Sequence, residues 1–265
     1  MERVLALIAG VPWGMKKKYN EILQINNQDK FITSLLKEKP PIPDYFKRGS
    51  NINRQGPELV KNLADLKPLK PEQFEEISQN HHAEIIDCRD YEAFGRQHIL
   101  GSYGIDLETN FPTYAGWIIP PEKKIFLIAS NDQEVQEAVI WLRRVGLDNM
   151  IGFLEGGMSA WVESGFRTNH ISQVSASEFN EIRSKKKINI IDVRMPSEYE
   201  TKHLKGAINI PFPDLRQEYT KLKEDDEYFL ICSSGRRSIL EKKGFKKLTN
   251  VRGGMTGLNN LWVER

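Results

Sequence analysis

Short, almost uniformly apolar runs punctuate an otherwise polar chain. Three of them, 84–86, 124–129 and 149–154, are answered by three more at 188–192, 227–232 and 248–251. Runs this short, rich in β-branched residues and apolar on both alternating faces, predict strands buried on both sides of a parallel sheet. Between them the apolar spacing changes. Gln133 to Val145 carries a helical period that Gly146 stops. Strand and helix in alternation predict an α/β fold: a parallel sheet with helices on both faces.

The pattern occurs twice. Ile85-Ile-Asp-Cys-Arg-Asp-Tyr-Glu-Ala-Phe94, followed by His98 and Gly101, answers Ile190-Ile-Asp-Val-Arg-Met-Pro-Ser-Glu-Tyr199, followed by His203 and Gly206, at a constant offset of 105. Farther on, Leu154-Glu-Gly-Gly-Met158 answers Val251-Arg-Gly-Gly-Met255 at an offset of 97. The second copy is therefore shorter, and most of the loss falls between Gly206 and Gly244. This divides the 265 residues into an N-terminal extension at 1–69, a first α/β domain at 70–170 and a second at 171–265. The extension holds a basic, helix-like stretch from Lys16, a Pro40-Pro-Ile-Pro43 loop and a linker-like Lys67-Pro-Leu-Lys-Pro71. Val4 to Val11 could imitate the apolar part of a secretion signal. It lacks a small-x-small cleavage site and reads instead as a buried strand or the stump of something larger.

Composition narrows the function classes. A net charge of +2 gives no reason to expect nucleic acid or an anionic membrane as partner, and no run approaches the length of a membrane helix. The chain has two cysteines, Cys88 and Cys232, which rules out a disulfide framework and a four-cysteine zinc site. The five histidines form no metal-binding pattern, and no metal or cofactor is expected. Cys88 sits within an apolar strand and reads as core.

Cys232 is different. It ends the apolar run Tyr228-Phe-Leu-Ile231 and opens Ser233-Ser234-Gly235-Arg236-Arg237-Ser238. A strand that delivers a thiol into a small-residue loop puts it at the crevice where α/β sheets hold ligands. Backbone N–H groups of such a loop form an anion cradle, and Gly235 frees the backbone to curl. The same field, with Arg236 and Arg237, favours thiolate over thiol. In the first copy the cysteine position falls at Ala129, in Ala129-Ser-Asn-Asp-Gln-Glu134: no thiol, no glycine, no arginine and two acids. That copy should be catalytically silent. The Asp87/Arg89 and Asp192/Arg194 pairs recur in both copies, as do His98 and His203. They read as structural anchors rather than chemistry.

Together, Asp192-Val-Arg194, Glu198-Tyr199, His203, Gly206-Ala-Ile-Asn-Ile-Pro211, Cys232-x-x-Gly-x-Arg-Ser238, Gly244-Phe245 and Gly253-Gly-Met255 resemble the rhodanese sulfurtransferases across both repeats. The resemblance implies a ping-pong reaction. Cys232 takes the outer sulfur of a small anionic donor such as thiosulfate, becomes a persulfide, and yields it to a thiol or cyanide. Ser233, Ser234, Gly235, Arg236, Arg237 and Ser238 would hold the anion, with Asp192 and Arg194 structural nearby. One feature pulls against this. Cys232 to Gly244 is twelve residues against seventeen in the first copy, so the helix behind the loop loses about one and a half turns.

The extension resembles the end of metallo-β-lactamase-like persulfide dioxygenases fused to rhodanese domains, on Asn20, Phe31, Leu35, Pro41-x-Pro43-x-Tyr45-Phe46, Asn53 and Gly56. Those enzymes bind iron, but their His-x-His-x-Asp-His motif is absent here. This implies a truncated or split relative, with a separate persulfide dioxygenase or other sulfur-carrying protein as partner. A cytoplasmic location follows from a thiolate that must stay reduced. Two other readings remain. One is a cysteine phosphatase or arsenate reductase, whose cradles are one residue longer than the six from Cys232 to Arg237. The other is a non-catalytic interaction module.

Overall fold

The computed structural model describes residues 13–37, 42–59, 62–63, 65–80, 83–218, 220, 222–223, 225–231 and 247–263. Chain contacts divide it into two units, 1–42 and 43–265. The first holds helix α1 (Trp13–Tyr19), a single 3-10 turn (Glu21–Gln24) and helix α2 (Gln28–Lys37). Asn20 and Asn27 begin the latter two by accepting the N–H groups of Ile22 and Lys30, which is the usual work of Asn at a helix start.

The second unit opens with α3 (Asp44–Gln55) and then repeats one αβ pattern twice. The first repeat runs β1 (Lys67–Leu69), α4 (Pro71–Asn80), β2 (Glu84–Asp87), α5 (Tyr91–Arg96), β3 (Tyr103–Gly104), α6 (Phe111–Ile118), β4 (Ile125–Ile128), α7 (Asp132–Arg144), β5 (Met150–Leu154) and α8 (Gly157–Glu163). The second runs β6 (Ser172–Val174), α9 (Ala176–Lys185), β7 (Asn189–Asp192), α10 (Pro196–Thr201), β8 (Ala207–Asn209), α11 (Phe212–Glu218), β9 (Tyr228–Ile231), β10 (Leu248–Val251) and α12 (Gly254–Val263). The sheets have the same order, β1-β5-β4-β2-β3 and β6-β10-β9-β7-β8, with every pairing parallel.

Helices cover both faces of each sheet. In the first, Phe74, Met158 and Trp161 pack with Phe126 and Ile128 on one face, while Val135, Ala138 and Leu142 of α7 meet Ile86, Ile125 and Leu127 on the other. In the second, Phe179, Met255 and Leu258 pack on Ile190, Phe229 and Ile231, and Phe212 and Leu215 of α11 cover Ile191 and Leu230. The α7 core continues without a break into the α11 core. Tyr114 meets Phe212 edge to face at 4.9 Å, so the two sheets share one apolar interior.

The expected strands form, most of them trimmed by a residue or two at their ends. The stretch at 67–71 is corrected. Lys67–Leu69 is not a linker but a strand, paired with Gly152 to Leu154. Pro68 is tolerated because β1 is an edge strand, where a missing N–H costs no pairing. The expected helix of 133–145 is α7, and Asn53 lies inside α3. Residues 1–12, the Pro40–Pro41 part of the proline loop and the histidine pair 81–82 lie outside the described residues.

α3 packs against the first repeat. The Tyr45 ring sits over Gly116 of α6, where a Cβ would run into Tyr45 Cδ1. Arg48 donates from Nε and Nη2 to the Val145 carbonyl at 3.1 and 2.7 Å, placing a cation at the negative end of α7.

Candidate functional site

In each sheet the winding reverses between the second and fourth strands, β2 and β4 or β7 and β9. Such a reversal opens a crevice at the strands' carboxyl ends, the common ligand position of open α/β sheets. In the second repeat that edge is formed by Asp192 and Val193 leaving β7, Ile231 ending β9, and Arg252 leaving β10. Cys232 is the residue after Ile231. Cys232 to Ser238, the whole expected cradle, and Gly244-Phe245 lie outside the described residues.

What surrounds that exit is well defined. Val193 N donates to Ile231 O at 3.0 Å, and Ile210 N and Phe212 N donate to Asp192 O and Val193 O. Arg194 is 5% exposed and Asp192 1%. The guanidinium binds the carboxylate through Nε, at 2.9 and 3.1 Å, and through Nη2 at 2.5 Å. Nη2 also donates to the Lys202 carbonyl at 2.8 Å. The pair therefore ties the end of β7 to the far end of α10. Asn209 lies within Gly206-Ala-Ile-Asn-Ile-Pro211, where nothing in the sequence marks its role. Its Nδ2 donates to the carbonyls of Asp192 and Arg194 at 2.8 and 2.9 Å, closing the same loop from β8.

The first repeat reproduces this scaffold. Arg89 binds Asp87 through Nε and Nη2 at 2.8 and 2.7 Å and reaches the Gln97 carbonyl at 2.7 Å. Each histidine also repeats its contacts. His98 and His203 hydrogen-bond through Nδ1 to the carbonyl four residues back, Phe94 or Tyr199, at 2.8 Å, and stack on that residue's ring. The strand register makes Ile128 the counterpart of Ile231, since they pair with Asp87 and Asp192 respectively. Ala129 thus stands where the second repeat has Cys232.

The first repeat's loop is closed on itself. The Glu134 carboxylate accepts the Ser130 N–H at 2.9 Å and the Asn131 Nδ2 at 3.1 Å, while Asn131 Oδ1 accepts the Glu134 N–H. A loop amide that would face an anion is already held by an internal carboxylate. The sequence showed only two acids there; the spacing Asn131-x-x-Glu134 is the capping signal that could have revealed the plug. Behind it, Gly157 comes so close that a Cβ would lie 2.8 Å from the Ala129 carbonyl oxygen, and its φ is +59°. The matching Gly254 has φ +46°.

Cys88 is 1% exposed, just past the end of β2, and donates Sγ–H to the Ile128 carbonyl at 2.9 Å. Burial above all, with the charges of Asp87 and Glu134, pushes its pKa well above the usual thiol range. It is core, not nucleophile. Sequence reasoning also passed over Asn250 on β10. It is fully buried, and neither side-chain polar atom has a hydrogen-bond partner among the described residues. In register it corresponds to Phe153, which packs in the first repeat's core. Among the described residues no three His, Cys, Asp or Glu side chains gather as a metal site, and no helix is long and apolar enough to cross a membrane.

The rhodanese-like domain family matches residues 70–164 and again 175–261, well over half of the chain. The chain belongs to the rhodanese-like family. Its curated relatives include YrkF of Bacillus subtilis (strain 168), whose name proposes a sulfur carrier, at 38% identity over 98 residues, covering 35% of this chain and 53% of that protein. Another is the thiosulfate sulfurtransferase PspE of Escherichia coli (strain K12), 34% identical over 70 residues, covering 24% of this chain and 67% of PspE. The chain spans about half the length of the first of these. Among solved structures, a metallo-β-lactamase from Staphylococcus aureus is 26% identical over 53% of this chain and 39% of its own, with a TM-score of 0.45. Each of the two segments matched by the family model holds a parallel sheet with helices on both faces.

Proposed function

We propose that this rhodanese-like chain is a sulfurtransferase with one working and one silent repeat, acting through Cys232. The observation that carries the reading is the exit of β9. A fully paired strand ends at Ile231, beside a loop locked by Asp192, Arg194 and Asn209, and the next residue is the thiol of Cys232-x-x-Gly-x-Arg-Ser238. The family match and the sulfurtransferase relatives favour sulfur transfer. Thiosulfate as donor rests on the motif and on PspE's name.

In the proposed reaction the Cys232 thiolate attacks the outer sulfur of thiosulfate. The S–S bond breaks, and sulfite leaves with the bonding pair. The persulfide's outer sulfur is then attacked by an acceptor thiolate or cyanide, which returns Cys232 as thiolate. No general base is required. Amides of 233–237, with Arg236 and Arg237, would hold the charge that develops. The reduced thiolate this needs favours a cytoplasmic setting. The motif positions at 20–56 favour kinship of the extension with persulfide dioxygenase fusions, with a persulfide dioxygenase or other sulfur-carrying protein as partner.

Intact mass after thiosulfate treatment tests the reading. A gain of about 32 Da, reversed by dithiothreitol and lost in Cys232→Ala, is expected for a persulfide. Thiocyanate release on adding cyanide should disappear in the same variant. An unchanged mass with no thiocyanate would favour the interaction-module reading, for which the five-residue deficit between Cys232 and Gly244 argues. Phosphate-ester turnover would favour the phosphatase.

A further inference from the structure

Each repeat has a groove at the amino edge of its sheet, between the helix that precedes the sheet's second element and the turn that enters its edge strand. Both grooves are lined by equivalent positions, Ile85 and Ile190, Gly101 and Gly206. Their charge differs. In the first repeat the lining holds Glu75 and Glu84 against Lys123 and Arg167, a balance. In the second, a cavity of about 1060 Å³ is lined by Arg183, Lys186, Lys187 and Lys205, with Glu181 the one acid among its described lining residues.

Two of these charges are already spent. Lys186 pairs with Glu227 at 2.7 Å, and Glu181 pairs with Lys185. Arg183, Lys187 and Lys205 have no acidic partner among the described residues, and they come from three places: α9, the turn before β7 and the turn before β8. Ile188 and Ile190 form an apolar floor between them. The fold does not require this basicity, since the first repeat builds the same groove without it. Nor does the sulfur chemistry, because the groove lies at the opposite end of β7 from Asp192, roughly 13 Å along a four-residue strand.

We infer that this groove docks a carboxylate-rich, extended peptide segment of a partner protein. Arg183 near the end of α9, with Lys187 and Lys205 from the two turns, flanks the isoleucine floor, an arrangement that the alternate carboxylates of a short extended segment can meet. An apolar side chain between the carboxylates would cover the isoleucine floor. A polyphosphate or nucleic-acid strand fits less well. It offers no apolar group to the floor and would meet the Glu181 carboxylate in the lining. A partner held here leaves the carboxyl edge open, so docking and sulfur exchange can proceed on one domain at once.

The probe is a fluorescein-labelled peptide of alternating Glu and Leu, titrated against the full chain by anisotropy. Binding should weaken as salt rises from about 50 to about 300 mM, because screening shortens over that range. Arg183→Gln/Lys187→Gln/Lys205→Gln should weaken it about tenfold. Lys123→Gln/Arg167→Gln in the first repeat's groove should leave it unchanged, and so should Cys232→Ser, which separates this inference from the sulfur reading. Equal binding by the triple variant, with an unaltered melting curve, would overturn the assignment. So would tighter binding of an oligonucleotide of equal charge.

Discussion

The buried pair of Asp192 and Arg194 makes a quantitative prediction. Asp192→Ala removes a carboxylate that is 1% exposed and leaves a guanidinium at 5% exposure with only backbone carbonyls as partners among the described residues. Removing one member of a buried pair costs about 3–5 kcal/mol, most of it the penalty of the stranded charge. For a unit this size that is a fall in Tm of about 6–20 °C. If stranding is the cause, removing both charges should hurt less than removing one. Asp192→Leu/Arg194→Met gives up the Lys202 and Glu198 carbonyl contacts, about 1 kcal/mol each, but leaves no buried ion. It should therefore recover about 2 kcal/mol relative to Asp192→Ala. Urea unfolding followed by circular dichroism, on the wild type, Asp192→Leu, Arg194→Met and the double, closes the cycle, with Asp192→Ala measured beside them. Asp87→Ala, which disrupts the same geometry in the first repeat, should destabilise by a similar amount while leaving persulfide loading of the folded protein intact. A single variant within about 1 kcal/mol of wild type, or a double variant no better than Asp192→Ala, would refute the reasoning.

Other expectations follow from particular contacts. Burial holds Cys88 protonated and out of reach, so iodoacetamide at mildly alkaline pH should label Cys232 alone in the native protein. Mass spectrometry should then find both cysteines labelled in urea. Glu178 accepts the Ser175 N–H at 2.7 Å, and these bonds to Ser175 hold its carboxyl below its ordinary value of 4.5. Its contribution is present above that value and is lost as pH falls through the lowered one. Glu178→Gln should therefore be less stable than wild type at neutral pH, and the two unfolding curves should converge in acid. Gly116→Ala drives a methyl into the rigid Tyr45 ring and should cost about 1–3 kcal/mol. Adding Tyr45→Ala should recover part of that loss, as measured by thermal melts.

The fold was legible in the sequence because buried parallel strands are apolar on both faces and leave runs that need no partner to be recognised. The repeat then fixed the equivalences, and the strand register reproduces them as far as Ile128 and Ile231. β1 and β3 escaped notice for the opposite reason. Lys67–Leu69 and Tyr103–Gly104 are edge strands of two or three residues, too short to show a period and, in one case, interrupted by Pro68. At the site, ion pairs at i and i+2 could be read from spacing alone. Long-range partners could not: Asn209 reaches back 17 residues to Asp192, and Arg48 caps a helix end 97 residues away. Nothing local in the sequence marks either contact.

Two repeats on one backbone separate what the fold needs from what a function adds. The strand-end ion pair and the ring-stacked histidine occur in both, with bond lengths that agree within a few tenths of an ångström. The first repeat has no thiol at Ala129, so these residues cannot owe their presence to thiol chemistry; they hold the sheet's exit loops. Where the repeats part, two of the differences concern anions. Glu134 fills the first repeat's loop with an internal carboxylate, whereas the second repeat's sequence offers Cys232, Gly235 and two arginines at that point. The amino-edge groove is charge-balanced in the first repeat, and in the second it carries three cations with no acidic partner among the described residues. Neutralising surface cations on a scaffold that does not need them costs a fold little, so a positive groove on the thiol-bearing repeat alone is the arrangement expected if that repeat handles an anionic donor at one edge and an acidic partner at the other.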